Sequence, residues 1–503
     1  MAAITLVFVH GWSVTNLDTY GNLPQRIRKE GKAQNLDINV EEIFLGRYIS
    51  FHDEVRVPDI SKAFTAAIND QLSNLLKKGE RFICITHSTG GPVVRDWWQR
   101  YYKDKRAKCP MSHLIMLAPA NFGSALAVLG KGVLCRLKSW WNGIEPGQGV
   151  LDWLELGSRE AWDLNREWIQ SDGSHIGPAG IFPFVLLGQS IDRKLYDVLN
   201  SYTGETGGDG VIRVAAANME GRYIKLTQPA PAKNEKGKLV TGELKVSESK
   251  MAPPTVLRVI KGKSHGGNKM GIQKSVELDD PESLETVNAI LQCIQVKTRK
   301  QYDDLYSKFA LETAAVQRDE HVEIEDRVLL SDRYFIHDRY SMIIFRVRDT
   351  EGYPITDYDL VLTAGENNDP NHLPEGFFID RQQNKKNRET VTYFINYDIM
   401  QGLMKPEDIV LNKKGETVRG NIQGIDKLGI KVTPRPCDGF VRYIECVYSA
   451  NKKLFNQALI PNSTTMIDIV LQRVVDKEVF RLETPVPSKN FAGVKPSNEI
   501  AEG

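Results

Sequence analysis

The chain has almost no net charge, because 65 lysines and arginines are balanced by 64 aspartates and glutamates. No long basic stripe is present, which argues against nucleic acid as the main partner. No apolar run is long enough to predict a membrane-spanning helix. With 41% hydrophobic and 26% charged residues, the composition is that of a globular protein and not of a disordered one.

Cysteine is scarce, and its positions follow neither the spacing of a zinc site nor that of a disulfide framework. The six residues are Cys84, Cys109, Cys135, Cys293, Cys437 and Cys446. We therefore expect reduced thiols in a protein made in the cytoplasm. Nothing in the pattern implies a metal or an organic cofactor.

The opening segment MAAITLVFVHGW has no charged n-region, and its apolar run is too short for a signal peptide. We predict that it forms the first strand of a sheet and is not a cleavable leader. Under this interpretation, secretion would require a leaderless route.

The most informative segment is FICITHSTGGP, residues 82–92. An apolar, β-branched run stops at Thr86, and a helix-compatible stretch begins directly after Thr89. This pattern predicts a nucleophile elbow, in which a serine is held on a sharp turn between a strand and a helix. Ser88 is the predicted nucleophile, with Thr86 in place of the first glycine of the usual G-x-S-x-G motif.

A serine hydrolase also needs backbone N–H groups that stabilise the oxyanion of its tetrahedral intermediate. One comes from the residue after the nucleophile, here Thr89. The first predicted strand ends in His10-Gly11-Trp12, which suits the loop that supplies the second donor. We predict the N–H groups of Trp12 and Thr89 as the oxyanion hole. The alternative for His10-Gly11 is a plain tight turn.

The serine hydroxyl needs a histidine base, which follows the acid in the chain order usual for such an elbow. His265 stands out because it lies in the glycine-rich KGKSHGGN, directly after the strand-like PTVLRVI. Loops at the carboxyl ends of parallel strands commonly hold active sites. His113, at the start of a predicted strand, and His175, in a loop, remain alternatives.

The best candidate for the carboxylate that orients the base is Asp209, in the glycine cluster TGGDGVIRV. An aspartate between glycines can accept backbone N–H bonds and stay ionised beside a histidine. Asp192 and Asp197 are alternatives, although both lie in SIDRKLYDVL, which has the spacing of an ordinary surface helix.

Five segments in this order resemble the α/β-hydrolase superfamily, and specifically its lipase-like members: VFVHGW, ITHSTGGPVVR, LAPANFGSALA, GGDGVIRV and KSHGG. The resemblance covers about the first 300 residues. It implies an α/β fold with a parallel sheet, Ser88 as nucleophile, Asp209 as acid and His265 as base. It also implies the amides of Trp12 and Thr89 as oxyanion hole.

In lipases of this kind, a P-x-x-G-S turn leads into a lid, and Pro119, Gly123 and Ser124 hold those places here. The whole chain is also similar to the bacterial lipase effectors delivered by type VI secretion. That similarity implies a lipid substrate at a membrane surface, with a secretion apparatus and an immunity protein as possible partners.

An insertion at residues 125–180 is predicted to form a helical cap or lid. It holds five of the eight tryptophans, at positions 140, 141, 153, 162 and 168. These rings form either the core of the cap or the lining of an acyl-chain site. Trp140 and Trp141 are the predicted substrate-binding residues.

The organisation of the rest suggests three parts. We predict an α/β-hydrolase domain at 1–317, with a surface excursion at 229–254 that is rich in Pro, Lys and Gly. Short runs with period-two alternation predict an all-β sandwich at 318–483, followed by a disordered tail at 484–503. Because the sandwich has no candidate nucleophile or base, a fragment ending near Gln317 is expected to keep the complete catalytic set.

The sequence thus predicts a carboxylic ester hydrolase acting on lipids, a lipase or phospholipase with an acyl-enzyme mechanism. One alternative is a small-ester or thioester hydrolase with a purely structural cap. Another is a non-catalytic interaction protein on a hydrolase scaffold, against which the complete set of triad residues argues.

Overall fold

The structure is a computed structural model that describes residues 3–10, 19–50, 52–129, 147–191, 206–325, 332–450 and 454–480. The predicted tail at 484–503 lies outside these ranges.

Six parallel strands form the first sheet, in the order β10-β5-β4-β3-β1-β2. Their bounds are β1 (Ile4–His10), β2 (Ile38–Phe44), β3 (Phe82–His87), β4 (Met111–Leu117), β5 (Phe182–Leu187) and β10 (Val256–Val259). The inner strands are almost continuous apolar runs, as expected for a parallel sheet covered on both faces. This sheet is the core of an α/β-hydrolase fold, as the sequence predicts.

Helices accompany this sheet along the chain: α1 (Leu23–Ala33), α2 (Val57–Gln71), α3 (Ser73–Lys77), α4 (Gly90–Tyr102), α8 (Leu284–Ile294) and α9 (Arg299–Asp319). The buried side chains of α4 include Val93, Val94 and Trp97, which recur at helical spacing. The Trp97 ring packs against Phe64 of α2, with the ring centres 5.1 Å apart. No helix in the described ranges is both long enough and apolar enough to cross a membrane.

The described part of the cap contains α5 (Gln148–Leu154) and α6 (Arg159–Gln170). Ser158 caps the N-terminus of α6, and its side chain accepts a hydrogen bond from the Ala161 N–H. Trp153, Trp162 and Trp168 are all buried. These three rings are therefore core residues of the cap, while Trp140 and Trp141 lie outside the described residues.

A second six-stranded sheet has the order β15-β16-β13-β22-β6-β9. Its strands are β6 (Arg222–Thr227), β9 (Lys245–Met251), β13 (Tyr340–Asp349), β15 (Phe378–Gln383), β16 (Thr390–Asn396) and β22 (Thr464–Leu471). The strand β22 is parallel to both of its neighbours, β13 and β6. This sheet therefore contains two strands from the part of the chain between Asp209 and His265.

In the described ranges, the other strands form smaller sheets, and three further helices are short. A three-stranded sheet contains β14 (Tyr358–Ala364), β19 (Leu428–Pro434) and β21 (Cys446–Tyr448). The two-stranded pairs are β7 (Ala232–Lys233) with β8 (Leu239–Val240), β11 (Val322–Glu325) with β12 (Arg333–Ile336), β17 (Val410–Leu411) with β18 (Thr417–Arg419), and β20 (Val441–Arg442) with β23 (Val474–Val475). The short helices are α7 (Val214–Ala217), α10 (Tyr397–Gln401) and α11 (Leu454–Ala458).

The central strands of the second sheet are covered on both faces, and β13 shows how, whereas the edge strand β9 is largely exposed. Met342 and Ile344 belong to the same apolar core as the first sheet and the cap. Ile343 and Phe345, which point to the opposite face, belong to a separate core shared with the three-stranded sheet. The period-two pattern therefore distributes apolar residues between two cores.

A buried ion pair within this sheet also contacts the cap through its arginine. Arg346 on β13 donates to Asp468 on β22, with 2.7 Å between Nε and Oδ1. The Arg346 guanidinium also lies 4.4 Å from the ring centre of Trp162 in α6. Tyr223 donates its hydroxyl to the other carboxylate oxygen of Asp468 at 3.0 Å. Removing one partner of such a buried pair is strongly destabilising, because it leaves an uncompensated charge.

The division predicted at residue 317 therefore requires correction. Strands β6 and β9 precede that residue but pair within the second sheet. The excursion predicted at 229–254 contains the β7–β8 hairpin and also β9, which is hydrogen-bonded to β6. Local alternation reveals a strand but does not reveal a partner strand more than 200 residues away.

A fragment ending at Gln317 should consequently be insoluble. It lacks β13 and β22 and would expose Ile224 and Leu226 of β6, which are fully buried in the intact chain. Soluble yield and circular dichroism test this, with co-expression of residues 318–503 expected to restore solubility. A folded fragment 1–317 that hydrolyses a soluble ester would contradict it.

Candidate active site

Ser88 occupies the turn between β3 and α4. Its φ of 53° lies in the left-handed region, which non-glycine residues seldom adopt. The turn is held by a hydrogen bond from the Ser88 N–H to the Leu117 carbonyl at 3.0 Å. This is the strained conformation of a nucleophile elbow.

The neighbouring small residues explain why the motif works with threonine at position 86. A Cβ added at Gly90 would lie 3.2 Å from the Thr86 Cβ, so the absent side chain at Gly90 makes room for the threonine. A Cβ at Gly91 would lie 2.8 Å from the Pro119 Cβ. Close packing around the elbow therefore depends on the two glycines after Thr89.

The side chain of His265 meets Ser88 from the loop after β10. Its Nε2 lies 3.1 Å from Ser88 Oγ, and its ring is buried. The loop is fixed by backbone hydrogen bonds, including one from the His265 N–H to the Asp209 carbonyl at 2.9 Å. His265 thus contacts both Ser88 and the segment that carries Asp209.

Asp209 completes this arrangement. Its Oδ2 lies 3.0 Å from His265 Nδ1, and its Oδ1 accepts the N–H groups of Val211 at 3.0 Å and Ile212 at 2.7 Å. The residue is fully buried. With a proton on Nδ1, the ring donates to Asp209 and presents Nε2 as an acceptor to the serine hydroxyl.

The structure thus brings together the three side chains predicted as nucleophile, base and acid. The alternative acids Asp192 and Asp197 lie outside the described residues. The alternative bases lie elsewhere: His113 is in β4 with Nε2 2.7 Å from the Val296 carbonyl, and His175 packs against Trp98 and Trp168.

His87, which the sequence analysis does not single out, contacts the predicted base directly. Its Nε2 lies 2.9 Å from the His265 carbonyl, and its ring centre is 4.7 Å from that of His265. Gln273 Nε2 lies 3.4 Å from His87 Nδ1. Burial, helped by the nearby His265, lowers the pKa of His87 to about 3, so the ring is neutral. The position of His87 directly before Ser88 is the sequence signal that could have indicated its contact with the site.

The predicted oxyanion hole is described only in part. Thr89 is buried and precedes the first residue of α4, so its backbone lies at the positive end of that helix. Trp12, the other predicted donor, lies outside the described residues, as do Trp140 and Trp141.

The P-x-x-G-S turn contacts both the cap and the segment that follows Asp209. Gly123 has a φ of 97°, and a Cβ there would lie 2.4 Å from the Leu154 carbonyl at the end of α5. Ser124 donates its hydroxyl to the Val211 carbonyl at 2.8 Å. The turn therefore packs against the cap at Gly123 and is hydrogen-bonded to the segment after Asp209 at Ser124.

Acid should destabilise the protein through its buried histidines. Burial lowers the pKa of both His113 and His175 to about 4, below the ordinary 6.5. The unfolded chain therefore binds more protons, and stability present above pH 6.5 is lost as the pH falls toward 4. Each group should cost about 2.5 kcal/mol between pH 6.5 and 4.5.

Thermal unfolding across this pH range measures the effect. His113→Gln, which keeps a donor for the Val296 carbonyl, should reduce the dependence of Tm on pH. His52→Gln, at an exposed loop position, is the matched control and should leave the dependence as it is. If the slope of Tm against pH is unchanged in His113→Gln, protonation of His113 is not a cause of the loss of stability in acid.

Comparison with known proteins gives a full-length relative. No protein-family model matches the chain, and a search of curated proteins returns no match. Among solved structures, phospholipase PlaB from Legionella pneumophila is 42% identical, with a TM-score of 0.82, and the match covers 99% of each chain. A structure of the same enzyme in complex with thio-NAD is 41% identical over 98% of this chain and 99% of that one, with a TM-score of 0.81. The chain therefore belongs to the family of phospholipase PlaB, and it is a carboxylic ester hydrolase with the α/β-hydrolase fold.

Proposed function

We propose that the chain hydrolyses lipid esters as a phospholipase or lipase through a covalent acyl-enzyme. The similarity to phospholipase PlaB over 99% of the chain supports the lipid substrate. The observation that carries the mechanism is the hydrogen-bonded series Ser88–His265–Asp209, with separations of 3.1 and 3.0 Å. A nucleophile, its base and an orienting carboxylate need this order of contacts.

In the acylation step, Ser88 Oγ forms a bond to the acyl carbonyl carbon while its proton moves to His265 Nε2. The oxyanion that develops is stabilised by the backbone N–H groups of Thr89 and Trp12 and by the positive end of α4. Collapse of the tetrahedral intermediate breaks the ester bond. The departing alkoxide takes the proton from His265 Nε2, which leaves the acyl group on Ser88.

Water then resolves the acyl-enzyme. His265 Nε2 accepts a proton from the water as its oxygen bonds to the acyl carbon, and the proton returns to Ser88 Oγ when the fatty acid leaves. Asp209 stabilises the imidazolium in both half-reactions and transfers no proton itself. Its full burial and its two backbone N–H donors keep the carboxylate in one orientation.

Substitutions within the triad test this mechanism. Ser88→Ala should abolish ester hydrolysis without unfolding the protein, because it removes a hydroxyl on a turn and leaves no core cavity. His265→Ala should do nearly the same, and Asp209→Asn should lose about 10³- to 10⁴-fold in kcat. Initial rates on a soluble butyryl ester provide the measurement.

Ser307→Ala, at an exposed position on α9, is the control for serine removal and should retain full activity. Hydrolysis by folded Ser88→Ala protein would refute the proposal. A panel of phospholipids, triglycerides and thioesters addresses the substrate, since a preference for small esters or thioesters over every lipid would favour the alternative activity.

Trp140 and Trp141 are proposed to line the acyl-chain site. Replacing both with serine should lower activity on a long-chain phospholipid at least about tenfold more than on a butyryl ester, because only the long chain would lose apolar contacts. Tyr101→Ser, which removes an aromatic ring that is 39% exposed on α4, is the control. Equal losses on both substrates would make the two tryptophans structural.

Delivery by type VI secretion, with a secretion apparatus and an immunity protein as partners, stays a prediction. So does cytoplasmic synthesis followed by leaderless secretion.

A further inference from the structure

The carboxylate of Asp209 is held by a short turn, residues 207–213, named here the acid turn. Gly208 and Arg213 face each other across an isolated antiparallel bridge. Within the turn, the Asp209 N–H donates to the Ile212 carbonyl at 3.1 Å, and the Ile212 N–H donates to Asp209 Oδ1 at 2.7 Å. The position of Arg213 is therefore linked through the backbone to the position of the carboxylate.

The second sheet touches both ends of the acid turn. At the first end, Gly207 has a φ of 74° and lies against Tyr340 of β13, so closely that an added Cβ would be 2.2 Å from the ring. At the other end, Arg213 Nη2 lies 2.7 Å from Asp380 Oδ2 of β15. The Arg213 guanidinium also lies 4.0 Å from the ring centre of Phe394 on β16.

These contacts form one continuous arrangement. The rings of Tyr340 and Phe394 are stacked, with their centres 5.0 Å apart. Directly after the turn, Thr464 of β22 donates its hydroxyl to the Ala215 carbonyl at 2.7 Å. Four strands of the second sheet thus supply side chains to the segment that carries the acid.

The buried charge of Arg213 needs its contacts with Asp380 and Phe394. Only 4% of the residue is exposed, and a buried guanidinium is costly unless it is paired and hydrogen-bonded. Asp380 provides the opposite charge and Phe394 provides the face of an aromatic ring. Any movement of the acid turn away from the sheet would separate the guanidinium from both.

We propose that Arg213, held between Asp380 and Phe394, is a positioning residue that keeps Asp209 in line with His265. The inference rests on the proposed function, since it concerns the acid of that triad. The second sheet then takes part in the reaction by fixing the geometry of the active site, although it supplies no reacting group.

Kinetics of the full-length protein on a soluble butyryl ester test this. Arg213→Gln should lower kcat about 10- to 100-fold with little change in KM, because a misplaced triad group slows chemistry more than binding. Arg213→Lys keeps a cation near Asp380 and Phe394 and should recover much of the loss. Asp380→Asn, at a carboxylate whose side chain is 30% exposed, is the milder variant, and it should lower kcat in the same direction.

A double-substitution cycle separates positioning from general stability. If Arg213 acts through Asp209, then adding Arg213→Gln to the Asp209→Asn variant should lower kcat by less than about twofold. Arg346→Gln is the matched control, because Arg346 is also a buried arginine of this sheet that pairs with an aspartate, Asp468, and lies over an aromatic ring, Trp162 of α6. It should lower Tm while kcat at 20 °C stays within about twofold of the wild type.

Each outcome bears on one statement. Wild-type kcat in folded Asp380→Asn and Arg213→Lys would overturn the positioning role, as would an undiminished effect of Arg213→Gln in the Asp209→Asn background. If Asp209→Asn alone retains nearly wild-type activity, the acid assignment of the proposed function fails and the positioning role fails with it. Loss of all activity in Ser88→Ala beside that result would leave the nucleophile assignment standing.

Discussion

The strand β22 pairs in parallel with β13 on one side and with β6 on the other. This pairing joins the residues before position 317 to those after it in one sheet. It places Asp468 where Arg346 and Tyr223 can both reach it, and it extends the sheet over the cap. Because both faces of the central strands are buried, neither the cap nor the three-stranded sheet can be removed without exposing a core. The acid turn rests against the same sheet and depends on it for two of its contacts.

Much of the site can be predicted because its chemistry is local in sequence. Small residues surround Ser88, and glycines surround Asp209 and His265, since each lies in a tight turn. The contacts that support these residues carry no such signal. Arg213 and Asp380 are 167 positions apart, and either residue taken alone resembles an ordinary surface charge.

In the fold, too, the individual strands can be predicted from nearby residues, whereas the elements that pack against them cannot. Alternating apolar residues correctly indicate strands after residue 318, and the α/β-hydrolase sheet follows from its buried parallel runs. The boundary at 317 fails because alternation describes which side chains share a face and does not say what covers that face. In β13 the cap and a three-stranded sheet cover opposite faces, and the sequence of the strand names neither of these partners.

The register of β22 also bears on how the chain is made. A ribosome releases residues 222–227 long before residues 464–471, so β6 emerges without its parallel neighbour and must wait for more than 200 further residues. Until then its only sheet partner in the described structure is β9. Since domains usually fold as units during synthesis, the nascent polypeptide exposes an unpaired edge while those residues are made. Chaperone binding at this stage would protect the strand that lies between Asp209 and His265.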